Sequence, residues 1–303
     1  MDLLHQSSSR FTWRRPKNRS GFVFESSAVK TSLNACTLMP VLTIQPSAEF
    51  ETYEPLNVAT ALYRVLAATS PTPDGVVEFA EEYGFLGVGM GEVQGRPMEP
   101  LESWEREIVQ MEMAVRVWDM VREGKDRALG EYVRWHGGRV ESLMGSRLAR
   151  AYGDTPSDPE VARVLGWTHP SDRDLVVASV EIGAATGPIP KGDIIQAGRL
   201  QLLELVNGAL NRGNGPMLLW DPERMRTRLW LRPSCLLSAA YLQLGLAIAG
   251  NCEPRECATC GRPFDVRPAA SRTDRKTCSN ACRSKGYRSR HQAGDARATK
   301  GKR

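Results

Sequence analysis

Cys257-Ala-Thr-Cys260, seventeen intervening residues, and then Cys278-Ser-Asn-Ala-Cys282 is the stretch from which the rest of the chain is read. Four thiols spaced C-x2-C and C-x3-C match the ligand set of one tetrahedral zinc ion, with Cys257, Cys260, Cys278 and Cys282 as ligands. A site of that kind contributes on the order of 10–16 kcal/mol of folding energy, enough to order a segment with few apolar residues. Four thiolates close the tetrahedron and leave no position for a reactive water, so the expected cofactor is one structural Zn2+ per chain. Cys252 is a fifth nearby thiol, but its spacing suits a packed or free side chain better than a ligand.

Around the thiols the local signals agree. Gly261 follows the second cysteine, where a knuckle needs a tight backbone turn. Phe264 to Val266 suits a short strand, Pro268 to Asp274 a turn and Arg275 to Thr277 a returning strand. Ser279 is a good N-cap, which places Cys282 in the first turn of a helix. Knuckle, hairpin and helix with ligands at both ends is the treble-clef arrangement.

Charge gathers at the same end. Residues 252–303 hold fourteen Lys/Arg against five Asp/Glu, a net of +9, on a chain whose formal total is only +5. A basic end on a slightly acidic body is the footprint expected of a polyanion binder. The candidate nucleic-acid contacts are Arg272, Arg275 and Lys276 before the last cysteines, and Arg283, Lys285, Tyr287, Arg288 and Arg290 after them. Arg283, Tyr287 and Arg290 fall on one helical face, where the tyrosine can stack on a base or sugar. Residues 292–303 read as a disordered basic tail.

Upstream, the apolar run Cys235 to Gly250 reads as a buried helix, interrupted by Gln243 and too short for a membrane span. Two further amphipathic helices are expected. One runs from Leu101 to about Gly124, with Trp104, Ile108, Met111, Val115 and Trp118 at steps of three and four; the other runs from Lys191 to about Asn211. Shorter helices are expected over Leu56 to Ala68, Asp74 to Tyr83 and Arg127 to Trp135, with 84–100 as a glycine-rich loop. Met217-Leu-Leu-Trp220 and Arg228-Leu-Trp-Leu231 make a hairpin near 217–231. His169-Pro-Ser-Asp172 is too local for a catalytic relay, whose members converge from different elements. Residues 1–45 are Ser-rich and basic and read as an unstructured extension, with Met39 near the functional start. No apolar signal segment opens the chain, and cysteines in a metal spacing fit a reducing compartment, so the expected location is the cytoplasm.

The residues Cys257-x-x-Cys260-Gly261-Arg262-x-Phe264, Arg272-x-Asp274-Arg275-Lys276-x-Cys278-Ser279 and Cys282-Arg283-x-Lys285 resemble those of bacterial proteins related to the CGNR zinc-finger family. Leu62-Tyr63-Arg64 and Phe79-Ala80-x-x-Tyr83-Gly84-x-Leu86-Gly87 add to the likeness, which covers roughly 50–290. The family's naming quartet is here Cys282-Arg-Ser-Lys285, and the last ligand pair is separated by three residues rather than four. The resemblance implies a helical N-terminal region of the ABATE type before a treble-clef finger, in a DNA-binding, stress-linked transcriptional regulator.

The expectation is therefore a fold that is mainly α with a small β-hairpin, plus a C-terminal treble-clef zinc finger. Its parts are an extension over 1–45, a helical body over 46–250, the finger over 251–291 and the tail. The expected activity is binding of nucleic acid, foremost double-stranded DNA, in transcription regulation, and not enzymatic. The alternative is a zinc-braced adaptor for protein–protein interaction.

Overall fold

The computed structural model describes residues 11–30, 36–57, 60–136, 139–142, 179–181, 192–221, 226–266 and 274–289. The chain divides into two compact units, one from Met1–Glu105 with Gly213–Arg303, the other from Arg106–Arg212.

The first unit carries most of the strands. β1 (Trp13–Pro16) pairs antiparallel with β4 (Phe50–Tyr53). Between them in sequence, β2 (Phe22–Lys30) and β3 (Cys36–Ile44) form a long hairpin. β5 (Gly91–Val93) and β6 (Arg96–Pro100) extend it into a four-stranded sheet of order β2-β3-β6-β5. These strands overturn the mainly α expectation: the protein is mixed α/β with several antiparallel sheets. Residues 1–45, expected as an unstructured extension, supply β1, β2 and the whole of β3 among their described residues, and Met39 lies within β3 opposite Ser27.

The physical reason lies in the pattern of β3. Val41, Leu42 and Thr43 are all fully buried, so the strand is covered on both faces and shows no alternation to read. Serines and arginines on either side then dominate the composition. The glycine-rich loop expected over 84–100 also hides a hairpin. Gln94 and Gly95 at its tip both have positive φ, the two-residue turn that matches strand twist.

Helices pack beside these sheets. α1 (Leu62–Ala68) is followed by α2 (Pro73–Tyr83), capped by the Thr72 hydroxyl with Pro73 in the first helical position. The helix thus starts one residue before the Asp74 expected. Gly84 ends α2 at φ +88°, and a Cβ there would sit 2.1 Å from the Arg14 carbonyl oxygen, so only glycine lets β1 approach the helix end. The hairpin expected near 217–231 is present and longer, formed by β10 (Asn214–Asp221) and β11 (Arg226–Pro233), the strands Val133–His136 (β7), Arg139–Ser142 (β8) and Ser179–Glu181 (β9) lying in the second unit.

α3 (Leu101–Glu123) begins in the first unit and gives most of its length to the second. Its expected stripe is buried at Trp104, Ile108, Met111, Val115 and Trp118. In the second unit the helix expected over Arg127 to Trp135 stops early. α4 (Asp126–Leu129) yields at Gly130, and Val133-Arg-Trp-His136 becomes strand β7, because Val133 and Trp135 alternate with Arg134. β7 pairs with β8 (Arg139–Ser142), and β8 with β9 (Ser179–Glu181). α5 (Ile194–Gly213) matches the second amphipathic helix. His169 to Asp172 and the tail 292–303 lie outside the described residues.

α6 (Leu236–Ala249) returns to the first unit, buries Leu236, Tyr241 and Leu244, and packs against α1. Gln243 has a definite task there: its Oε1 accepts from the Leu62 N–H at 2.8 Å, satisfying a donor in the first turn of α1. Among the described residues no helix is long and apolar enough to cross a membrane.

Candidate metal centre

From α6 the chain passes almost directly into β12 (Glu253–Glu256), which pairs with β13 (Pro263–Val266). The knuckle sits at the tip of this hairpin. Cys257 N–H donates to the Arg262 carbonyl at 3.0 Å, and Gly261 N–H donates to the Cys257 carbonyl at 2.8 Å with Gly261 at φ +72°. The strand after the knuckle therefore pairs with the one before it, rather than with Arg275 to Thr277, which form no strand. α7, at 280–289, begins as expected. The Ser279 hydroxyl accepts from the Cys282 N–H at 3.1 Å, an N-cap that presents Cys278 and Cys282 at the positive end of the helix.

The four sulfurs of Cys257, Cys260, Cys278 and Cys282 lie within 4.8 Å of one another. Cys278 Sγ is 3.7 Å from Cys260 Sγ and 3.6 Å from Cys282 Sγ. A tetrahedron with Zn–S bonds of about 2.3 Å has edges of about 3.8 Å. The spacing and the all-sulfur donor set thus fit one metal ion, with zinc the best match. Cys252 is buried but stands outside the cluster.

Protonation in the cluster is uneven. Burial pushes the Cys257 thiol up, but the N–H groups of Cys278, Thr259 and Cys260 outweigh it and bring its pKa down to about 6. Burial and the neighbouring thiols push Cys278 up to about 12. A metal entering here must displace protons, and its charge is what allows four thiolates to share so small a volume.

Apolar support is minimal. Phe264 and Val266 are buried with Cys257 and Cys278 in one small cluster, against which Cys282 packs. Arg275 lies over the Phe264 ring with its guanidinium 5.3 Å from the centroid. It also donates to the Thr277 and Cys278 carbonyls. The Thr259 hydroxyl donates to the Cys282 carbonyl at 3.0 Å, and Ala258 N–H to the Lys276 carbonyl at 2.9 Å, joining knuckle to helix.

The module is fastened to the body. Ala61 N–H donates to the Pro263 carbonyl at 2.9 Å. The Tyr63 hydroxyl donates to Asp265 Oδ1 at 2.8 Å. Arg262 pairs with Glu82 on α2. Burial and then the Asp265 charge raise the Tyr63 phenol far above its ordinary range, so it stays a donor. Nothing in the spacing of Tyr63 or Asp265 marks them as partners across 202 residues of sequence.

Knuckle and helix enclose a groove of about 790 Å³. Of the residues expected to meet nucleic acid, Arg275, Lys276, Arg283 and Lys285 line it, whereas Tyr287 and Arg288 do not. Tyr287 and Arg288 are exposed elsewhere on α7, and Arg272 and Arg290 lie outside the described residues. The sequence reading missed Thr259, Thr277, Ser279, Asn280 and Ser289, which also line the groove, the Thr259 and Ser289 hydroxyls donating to the Cys282 and Lys285 carbonyls. Their signal was weak because Ser, Thr and Asn are equally expected at caps and turns.

No known family model matches the chain, and no curated protein or solved structure does. What stands of the likeness to the CGNR finger proteins is the four-cysteine cluster itself.

Proposed function

We propose that the chain is a nucleic-acid-binding protein, foremost for double-stranded DNA, in which one structural zinc ion holds a phosphate-binding groove in shape. The observation that carries this reading is the make-up of the groove. Four basic residues and the polar side chains of Thr277, Ser279 and Asn280 line it, and Asp274 is the single acidic residue among the described ones. Such a lining suits a phosphate backbone, since cations supply affinity and neutral donors fix register. Arg275 is partly committed to backbone carbonyls, so Lys276, Arg283 and Lys285 carry most of the attraction. The metal holds the two walls together and does no chemistry of its own. Regulation of transcription, which the resemblance implies, is the role this reading favours.

The test is anisotropy of a fluorescent duplex titrated with metal-loaded protein over a range of KCl. Contacts from about four cations give a slope of log K against log salt near −3.6. Replacing Arg283 and Lys285 together by alanine should bring the slope to about −1.8. No duplex or single-strand binding at low salt would overturn the proposal in favour of the protein-interaction adaptor.

A further inference from the structure

The two-stranded ribbon β1/β4 has two unlike faces, and their difference marks a second site. On one face Arg15 stands opposite Glu51 and is paired with it at 2.7 Å, and beyond the strand end Lys17 pairs with Glu49 at 2.9 Å. The other face carries Arg14 opposite Thr52, with Phe50 two residues along from Thr52 and Thr12 two residues before Arg14. Among the described residues Arg14 has no carboxylate partner; its guanidinium lies 5.4 Å from the Phe50 ring centroid.

This second face is one wall of a cavity of about 470 Å³. The remaining walls are Trp13, Ile44, Phe85, Met90 and Pro97, and among the described residues no acidic side chain lines the space. Its volume lies within the range of small-molecule pockets, about 300–1,000 Å³. The walls are held in place. Trp13 Nε1 donates to the Phe85 carbonyl at 2.8 Å, and Phe22 meets Phe50 and Phe85 edge-on at 5.8 and 4.8 Å. Met90, 51% exposed at the rim, is a large flexible apolar side chain with little to cover it.

We infer that this cavity binds a small aromatic carboxylate. The ring lies among Trp13, Phe50 and Phe85, and the carboxylate meets the Arg14 guanidinium with the Thr12 and Thr52 hydroxyls beside it. A guanidinium fork matches a carboxylate in two parallel hydrogen bonds, and aromatic walls favour a flat apolar body. A ligand here makes the first unit a receptor, separate from the groove beside the cysteines.

The test uses full-length, metal-loaded protein with 2-naphthoate and its neutral analogue 2-naphthamide as probes, read by calorimetry and ligand-observed NMR. Wild-type protein should bind the acid about tenfold or more tightly than the amide. Arg14→Gln should remove that preference by weakening the acid far more than the amide. Arg14→Lys should retain part of it. Thr52→Trp should block both probes. Thermal melting of each variant reports whether the fold is intact. Failure of wild-type protein to bind either probe at millimolar concentration overturns the inference, and so does a folded Arg14→Gln protein that prefers the acid as strongly as wild type.

Discussion

Tyr63→Phe removes one oxygen atom and tests whether the metal module is part of the body's fold or an appendage to it. The lost interaction is a partly buried hydrogen bond of 2.8 Å to the Asp265 carboxylate. Hydrogen bonds to charged groups contribute about 1.5–3 kcal/mol, the loss expected for metal-loaded protein. With a urea slope of about 2 kcal/mol/M, the unfolding midpoint should fall by about 1 M. In protein stripped with a chelator, β13 has lost its anchor and the hydrogen bond with it, so the same substitution should cost close to nothing. The difference closes a thermodynamic cycle: Tyr63→Phe must also weaken zinc binding, by about tenfold or more. Amide exchange gives a local reading, because Ala61 N–H donates to the Pro263 carbonyl and should lose protection when metal is removed. An equal cost with and without metal would refute the coupling, and so would an unchanged Ala61 amide on chelation.

Purified wild-type protein should hold about one zinc per chain by elemental analysis. Cys278→Ser should lose it, whereas Cys252→Ser should not. Glu99 is buried in β6 and accepts from the N–H groups of Leu86, Gly87 and Val88. Burial outweighs those donors and raises its pKa to about 7. The folded protein therefore binds the extra proton between about 4.5 and 7, and the contribution of Glu99 is complete below that window and lost as pH rises through it, by about 3 kcal/mol. Urea melts of wild type and Glu99→Gln across pH 4.5–8 should diverge with that sign, and parallel curves would count against it. Gly84→Ala forces a side chain into a glycine-only backbone region and onto the Arg14 carbonyl, so it should lower stability by about 3 kcal/mol or more in the same assay.

The site was more legible than the fold, for reasons that can be located. Cysteine spacing is nearly independent of context, since the metal enforces the geometry; hence Cys257, Cys260, Cys278 and Cys282 could be grouped before any fold was known. The Ser279 cap and the α3 stripe were legible because each depends on neighbours within a few residues. The N-terminal sheet was not. β3 has no periodic signature when Val41, Leu42 and Thr43 are all inside, and its partners lie on β2 and β6. The groove was legible in charge and not in membership. Tyr287 and Arg290 were grouped with Arg283 by helical spacing, yet the groove is set by where the knuckle meets α7 through Thr259, and it leaves Tyr287 out.

The closing of α1 has a consequence for how the protein is made. The donor of Leu62 is met by Gln243, 181 residues later, and that of Ala61 by Pro263. At about 5–20 residues per second, a ribosome reaches those partners roughly 10–40 s after it has passed α1. α1 therefore waits with its N-terminal amides open until first α6 and then β13 have left the exit tunnel. In a chain whose four cysteines hold no metal, Gln243 would still meet the Leu62 amide, and the Ala61 amide alone would be left open to solvent.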